Sequence, residues 1–378
     1  MKRPTISVHG GAAPAVPGAP VVSPISQSVS FVEEAGPGHG IRYAGYGNTP
    51  NVALVERKLA MLDGGEEAVA LSSGMAATAC AMLALLRPGD HLLSSSWIYG
   101  GTHTLFMQEL AGMGIDVTLI DPMAPRKWRR ELRQTTRAIF VESPVNPTCR
   151  VLDLAFLANL ARDEGVALVV DSTFASPINF RPLEHGADVV VHSTTKYLNG
   201  HHDALGGAVI GTAAYIEEVR RKMIRWGQAP DAFAVWLLER GLKTLDVRVR
   251  RQNENALALA QWCESRPEFS RVHYPGLASH PDHEIAKQCL DGFGGMMAVE
   301  LAAGADATAR FIAQLGLVMH APSLGSVETL VSEPRFTSHA ERTPAERAEL
   351  GIPDGFLRLS VGIEDVSDLI ADIEQALR

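Results

Sequence analysis

The sequence predicts an α/β protein with a mostly parallel central sheet and a smaller α+β domain towards the C-terminus. Two runs carry this reading: VALVVD at 166–171 and ADVVVH at 187–192 are continuous and β-rich rather than alternating, as strands covered on both faces are. A third observation is the regular return of helical stretches between such runs, for example LANLARDEG at 157–165.

Residues 1–50 are rich in Gly, Pro and Ser without helical period, and read as an extended arm that lies against another subunit. VALVERKLAMLDGG, at 52–65, has the pattern of an amphipathic helix stopped by two glycines. Strands are expected at 90–95, 116–120, 137–142, 166–171 and 187–192. Residues 231–265 read as long helical material with one internal glycine, Gly241, leading out of the sheet. Beyond it, strands are expected at 294–301 and 356–362, with helices at 307–316 and 364–378. The expected division is an arm at 1–50, a first domain at 51–245 and a second at 246–378.

Of 378 residues, 46% are apolar and 20% charged, which excludes a disordered chain, a collagen-like repeat and a long coiled coil. The formal net charge of −9, with no dense basic tract, argues against nucleic acid or anionic membrane as partner and for small-molecule work. Cys80, Cys149, Cys263 and Cys289 are scattered without zinc-like spacing, as reduced cysteines of a cytoplasmic protein are. The N-terminal residues lack the apolar run of a signal peptide, and no stretch has the length of a membrane span.

GxGxxG after a strand, the P-loop, HExxH and GxSxG are all absent. Chemistry concentrates instead in ADVVVHSTTKYLNGHHDALGG at 187–207, where Lys196 follows a strand end in a small-polar turn. Ser193 to Lys196 also matches SxxK, but the SDN and KTG elements that accompany it in penicillin-binding enzymes are missing. His201, His202 and Asp203 read as a polar turn, with no second cluster to complete a metal site. Asp171 closes an apolar strand, where an α/β sheet places its ligands. On residues alone it stands equally as a structural turn aspartate. An Asp at one strand end and a Lys just past the next strand form the pattern that pyridoxal 5′-phosphate requires: a carboxylate facing a cationic ring, and an amine that bonds to it.

ESPVNPT (142–148), VVDSTF, HSTTKYLNGHHDALGG, SSGMAA (72–77), YGGTHTLF (99–106), YPGLASHPDHEIAK (274–287) and RLSVGIED (358–365) together resemble the Cys/Met-metabolism trans-sulfuration family. That family comprises cystathionine γ-synthase, cystathionine γ- and β-lyases, methionine γ-lyase and homoserine-ester sulfhydrylases. The resemblance runs from about residue 43 to the C-terminus. It implies the fold-type I, aspartate aminotransferase-like architecture of pyridoxal-phosphate enzymes, a cytoplasmic homotetramer built from dimers, and a small amino-acid substrate.

Carried over by motif, Lys196 is the lysine that binds the cofactor and then acts as base. Asp171 partners the ring nitrogen, and Gly74 and Met75 offer main-chain donors to the phosphate at a helix start. Ser193 and Thr195 add hydroxyls to that phosphate. Tyr99 stacks on the ring and is the candidate acid for a leaving group. Arg358 clamps the substrate α-carboxylate with a planar fork that lysine cannot copy. Asn146 lies near cofactor and substrate, and Ser323 near the substrate carboxylate. Tyr43 reaches a neighbouring subunit's phosphate. The family arginine two positions after that tyrosine is Gly45 here, with Arg42 the nearest replacement.

The resemblance implies γ-elimination or γ-replacement on a sulfur amino acid or homoserine ester. β-Elimination from cystathionine, sulfhydrylase or methionine γ-lyase activity, and a non-catalytic cofactor-binding homologue are the alternatives. YGGT lacks the cysteine common in methionine γ-lyases. SLGSVETL is nearer the γ-synthase and γ-lyase texts. Pro322 replaces the acidic residue frequent in members that handle cystathionine.

Overall fold

The computed structural model describes residues 1–12, 14, 16–33, 40–338, 340 and 343–378. A seven-stranded sheet has the order β1-β7-β6-β5-β4-β2-β3. Its strands are β1 (Glu67–Leu71), β2 (His91–Ser95), β3 (Asp116–Ile120), β4 (Thr136–Glu142), β5 (Ala167–Asp171), β6 (Val189–His192) and β7 (Gly207–Gly211). The five from β6 to β3 are parallel, while β7 and β1 join antiparallel at one edge. β1 and β7 escape sequence reading because GGEEAVAL and LGGAVIG surround short runs with turn-forming glycines. The second Gly of the latter is required by packing: a Cβ on Gly207 would lie 2.1 Å from the Ser73 carbonyl oxygen.

Both faces of this sheet are covered, which is why its strands read as unbroken apolar runs. Val169, Val189 and Val191 pack with Ala77, Cys80 and Ala81 of the helix Gly74–Leu85. Leu168 and Val170 face the opposite way, into a cluster with Leu157 and Leu160 of the helix Leu154–Glu164. In-register pairing of Glu142 with Asp171, and of Asp171 with Val191, brings the carboxyl ends of β4, β5 and β6 side by side.

The second sheet has the order β10-β11-β12-β9-β8. It comprises β8 (Phe269–His273), β9 (Met296–Leu301), β10 (Met319–His320), β11 (Leu330–Ser332) and β12 (Phe356–Ser360), mostly antiparallel. Helices Ala305–Gln314 and Val366–Ala376 pack on it through Phe311, Leu369 and Ile373.

The helical material expected over 231–265 is two helices, Ala232–Leu242 and Leu245–Glu264, parted at Lys243 and Thr244. The first ends where a Cβ on Gly241 would strike the Asn199 carbonyl at 2.2 Å. Arg248 then clasps the join, donating to the carbonyls of Tyr197 and Gly241, each at 2.8 Å. Gly200, at φ 75°, lies under the same guanidinium with no room for a side chain. The arm, in turn, is not wholly extended: Arg3–His9 is a short helix, started by a proline in its first turn and anchored by buried Ile6. Farther along, the Trp236 indole donates to the Ser23 carbonyl and the Ser26 N–H to Asn51, each at 2.8 Å.

Candidate active site

A cleft of about 670 Å³ opens where β4, β5 and β6 end, between the two sheets. Its wall includes Gly74, Met75, Tyr99, Asn146, Asp171, Ser193, Thr195, Lys196, Ser323 and Arg358, ten of the eleven residues singled out from the sequence. Tyr43 is the exception. It is exposed, meets Tyr46 edge-on at 5.5 Å, and does not line the cleft of its own chain.

The helix Gly74–Leu85 starts at the cleft. Ser73 caps it by accepting from the Ala76 N–H at 3.1 Å, and the Ala77 N–H closes the first turn on the Ser73 carbonyl. The N–H groups of Gly74 and Met75 precede that turn, so the helix gives them no acceptor. A Cβ on Gly74 would lie 2.7 Å from that of Ser193, so only glycine lets this terminus meet the turn after β6. In that turn the Ser193 N–H donates to the Thr173 hydroxyl at 2.9 Å. The Thr195 hydroxyl exchanges hydrogen bonds with the main chain of Gly206.

Lys196 donates to the Ser323 hydroxyl at 3.1 Å. Burial, and secondarily the charge of Arg358, pull its amine down to about 8. Arg358, on β12, donates to Asn146 Oδ1 at 3.0 Å and to the Ser323 carbonyl at 2.9 Å. Its Nε is buried without a partner. Burial lowers the guanidinium to about 10, still far above neutrality, so it stays charged. Ser323 is held at φ 97°, a region unfavourable to any side chain.

Asp171 accepts from the Thr173 N–H at 2.9 Å, and its carboxyl is raised by burial against the lowering effect of Thr173. On the next strand, His192 Nε2 sits 3.1 Å from both oxygens of Asp63, in full burial. Burial alone would lower His192, but the Asp63 carboxylate overrides it and the net shift is upward. The polar turn beyond Lys196 is held by its own contacts: the Asn199 amide donates to Asp203 at 2.7 Å, and His201 meets the Asn199 carbonyl at 2.8 Å.

Sequence reasoning passed over three features in and beneath the cleft. Glu142 also closes an apolar strand, the same signal that singled out Asp171, and its side-chain Oε1 accepts from the Tyr99 N–H at 2.6 Å. His192 and Asp63 lie 129 residues apart, and nothing local links them. At the mouth, Leu205 and Phe336 are 70% and 66% exposed beside Pro322, an apolar rim with no periodic signature.

The model of the Cys/Met metabolism PLP-dependent enzyme family matches residues 4–378. The chain belongs to that family. It is 41% identical to the cystathionine beta-lyase of Coxiella burnetii over 374 residues, covering 98% of this chain and 96% of the relative. To the L-methionine gamma-lyase of Porphyromonas gingivalis it is 38% identical, covering 99% and 96%. Among solved structures, the cystathionine gamma synthase of Xanthomonas oryzae pv. oryzae, in complex with aminoacrylate and cysteine, superposes with a TM-score of 0.96 at 37% identity, covering 100% of this chain and 98% of that one.

The protein is thus a pyridoxal-phosphate-dependent enzyme of the Cys/Met family, with the family's α/β fold. Its cleft fits that cofactor. Unpaired N–H groups at a helix start suit a phosphate, and the half-buried Asp171 carboxylate suits a cationic ring nitrogen. Family enzymes act on amino acids, and the orphaned Arg358 Nε leaves a donor free for a carboxylate. No described helix is long and apolar enough to cross a membrane.

Proposed function

We propose that this enzyme carries out γ-elimination or γ-replacement on a sulfur amino acid or homoserine ester. The observation that carries the reading is the convergence of Lys196, Ser323 and Arg358: an amine of lowered basicity and a charged fork meet on one serine. At pH 7 an amine titrating near 8 is neutral in about a tenth of molecules, a usable base.

When bound, pyridoxal phosphate supplies an electron sink for the pair left at the substrate Cα. Gly74, Met75, Ser193 and Thr195 would hold its phosphate, Asp171 its ring nitrogen, Asn146 its near edge and Tyr99 its open face. Lys196 would hold it and would move the proton at the substrate Cα and then one at Cβ. Arg358, with Asn146 and Ser323, orients the α-carboxylate so that the Cα proton faces Lys196. Tyr99 gives a proton to the departing γ substituent. Water or a thiol then decides between elimination and replacement.

Relatives named as β-lyase and as γ-lyase stand at nearly equal identity, so likeness alone does not choose the bond broken. The apolar rim of Leu205, Pro322 and Phe336 would contact the aliphatic part of a substrate side chain. The same reading makes the enzyme a cytoplasmic homotetramer in which the arm, residues 1–50, brings Tyr43 to a neighbour's cofactor. It retains 51–245 and 246–378 as the two domains.

Incubation with cystathionine, O-acetylhomoserine, O-succinylhomoserine and methionine, with and without a thiol, tests the function. Oxobutanoate release, or thiol-dependent loss of an ester, supports it. Pyruvate and homocysteine from cystathionine replace it with β-elimination. Inertness on the whole panel leaves a cofactor-binding homologue.

A further inference from the structure

Glu142 closes β4 just as Asp171 closes β5, and the two are direct partners in the parallel register. Adjacent strands lie about 5 Å apart, so these carboxyls are neighbours in a poorly hydrated place. Glu142 is 6% exposed and still borders the cleft. Two carboxylates so placed each raise the pKa of the other, so the less well solvated one gives up its charge first.

The surrounding donors decide which one keeps the proton. Asp171 accepts from both the N–H and the hydroxyl of Thr173, and feels the cationic side of the His192–Asp63 pair from β6 and the helix Pro50–Asp63. Among the described residues Glu142 has a single donor, the Tyr99 N–H. Lys196, on the turn after β6, and Arg358, on β12, also border this cleft, but neither hydrogen-bonds to Glu142. Burial and the Asp171 charge both drive Glu142 upward, well above the ordinary carboxylate range.

The Tyr99 end of the contact is equally constrained. Tyr99 occupies the N-cap of the helix Gly100–Thr104. A Cβ on Gly100 would meet the Ser338 carbonyl at 2.8 Å, and one on Gly101 would meet the Tyr99 ring at 2.7 Å. The main chain therefore threads a tight seat, and its one hydrogen bond to Glu142 fixes where the phenol stands.

We propose that Glu142 is a positioning residue that carries a proton at neutral pH, leaving Asp171 the one ionised carboxyl of the pair and holding Tyr99 over the cleft through its main-chain N–H. The carbonyl oxygen of the protonated acid still accepts from the Tyr99 N–H, though more weakly than a carboxylate would. One negative charge at the strand ends balances one positive ring nitrogen, whereas two would leave a surplus buried charge. The inference rests on the cofactor placement proposed above.

The test uses holoenzyme of wild type, Glu142→Gln and Glu142→Ala. Wild type minus E142Q, by infrared difference at pH 7, should show the C=O stretch of a carboxylic acid. Carboxylate bands in its place overturn the proton assignment. In steady state, E142A should lose about tenfold or more in kcat/KM, and Gln should recover most of that loss because its amide oxygen keeps the Tyr99 bond. Equal losses in Gln and Ala overturn the positioning role. Should E142A not fold, a cofactor absorbance titration of E142Q decides: unchanged band position around neutrality supports a neutral Glu142, and a shift opposes it. Wild-type protein without any cofactor absorbance would fail the cleft reading itself, while its infrared difference would still locate the proton.

Discussion

The amine of Lys196 and the hydroxyl of Ser323 are hydrogen-bonded at 3.1 Å, although Ser323 must adopt φ 97° to present that hydroxyl. A side chain in this region carries about 1–3 kcal/mol of backbone strain. Ser323→Gly should relieve it and raise the unfolding midpoint, while Ser323→Ala should not. Both should impair turnover through loss of the contact to Lys196. Thermal melts of the two variants check this, and equal midpoints would show that the strain is absent.

Lys196 titrates near 8 in the folded cofactor-free protein, below the ordinary 10.5. The unfolded chain therefore binds more protons between these values, and stability rises with pH across that window. Replacing the lysine by Met should stabilise the cofactor-free protein at pH 7, by at most about 3 kcal/mol, with the gain fading towards pH 10.5. Denaturant midpoints at pH 7 and 10 measure it. In the holoenzyme, Lys196→Ala should cost orders of magnitude in turnover, and borohydride followed by peptide mapping should leave the cofactor on Lys196 in wild type. An adduct on another lysine would refute that assignment.

Arg358→Lys keeps a cation but not the fork that spans Asn146 and the Ser323 carbonyl. Losing one charge-assisted hydrogen bond costs about 1.5–3 kcal/mol, or roughly 10- to 100-fold in kcat/KM. The loss should fall mainly on KM if the fork serves to bind carboxylate. A pure kcat effect would assign Arg358 another task.

Asp63→Asn leaves His192 buried without its counter-charge and should destabilise the fold by about 3–5 kcal/mol. Because the folded pKa of His192 is raised, the pair's stabilisation is full below the ordinary pKa of 6.5 and is lost as pH climbs through the folded value. The variant should therefore lag wild type more at pH 6 than at pH 9. Urea titrations at both pH values test the sign.

Gly45 has an ordinary negative-side φ, so an arginine there is not barred by the backbone. Its Cβ would instead approach the Tyr43 ring at 2.8 Å and turn it. Arg42 stands 5.6 Å over the Phe31 ring. If the family cation is missing from the neighbour's phosphate cup, Gly45→Arg should slow cofactor loss on dialysis roughly tenfold or more. Should Arg42 fill that place, Arg42→Ala will shed cofactor and Gly45→Arg will gain nothing.

The central strands were legible because burial on both faces leaves a continuous apolar signature, as at Val189, Val190 and Val191. β1 and β7 were not, since Gly65 and Gly207 serve close packing and look locally like turns. The short Arg3–His9 helix owes its place to contacts with distant helices, and seven residues are too few to show a period. Asp171, Lys196 and Arg358 stood out through motif and chemistry. Glu142 carried the same strand-end signal but entered only as a letter in ESPVNPT. The His192–Asp63 pair is invisible in sequence, because only the folded sheet brings a helix end beside β6.

The Arg248 clasp couples two parts of the machinery that the chain keeps far apart. It grips the carbonyl of Tyr197, the residue after Lys196, from the helix that runs on to the second sheet. The Tyr197 ring packs where a Cβ on Gly325 would lie 2.8 Å away, two residues past Ser323. The turns that carry Lys196 and Ser323 are therefore packed against each other. A shift of the helix Leu245–Glu264 would be felt at the Tyr197 carbonyl, and so at the amine one residue before it.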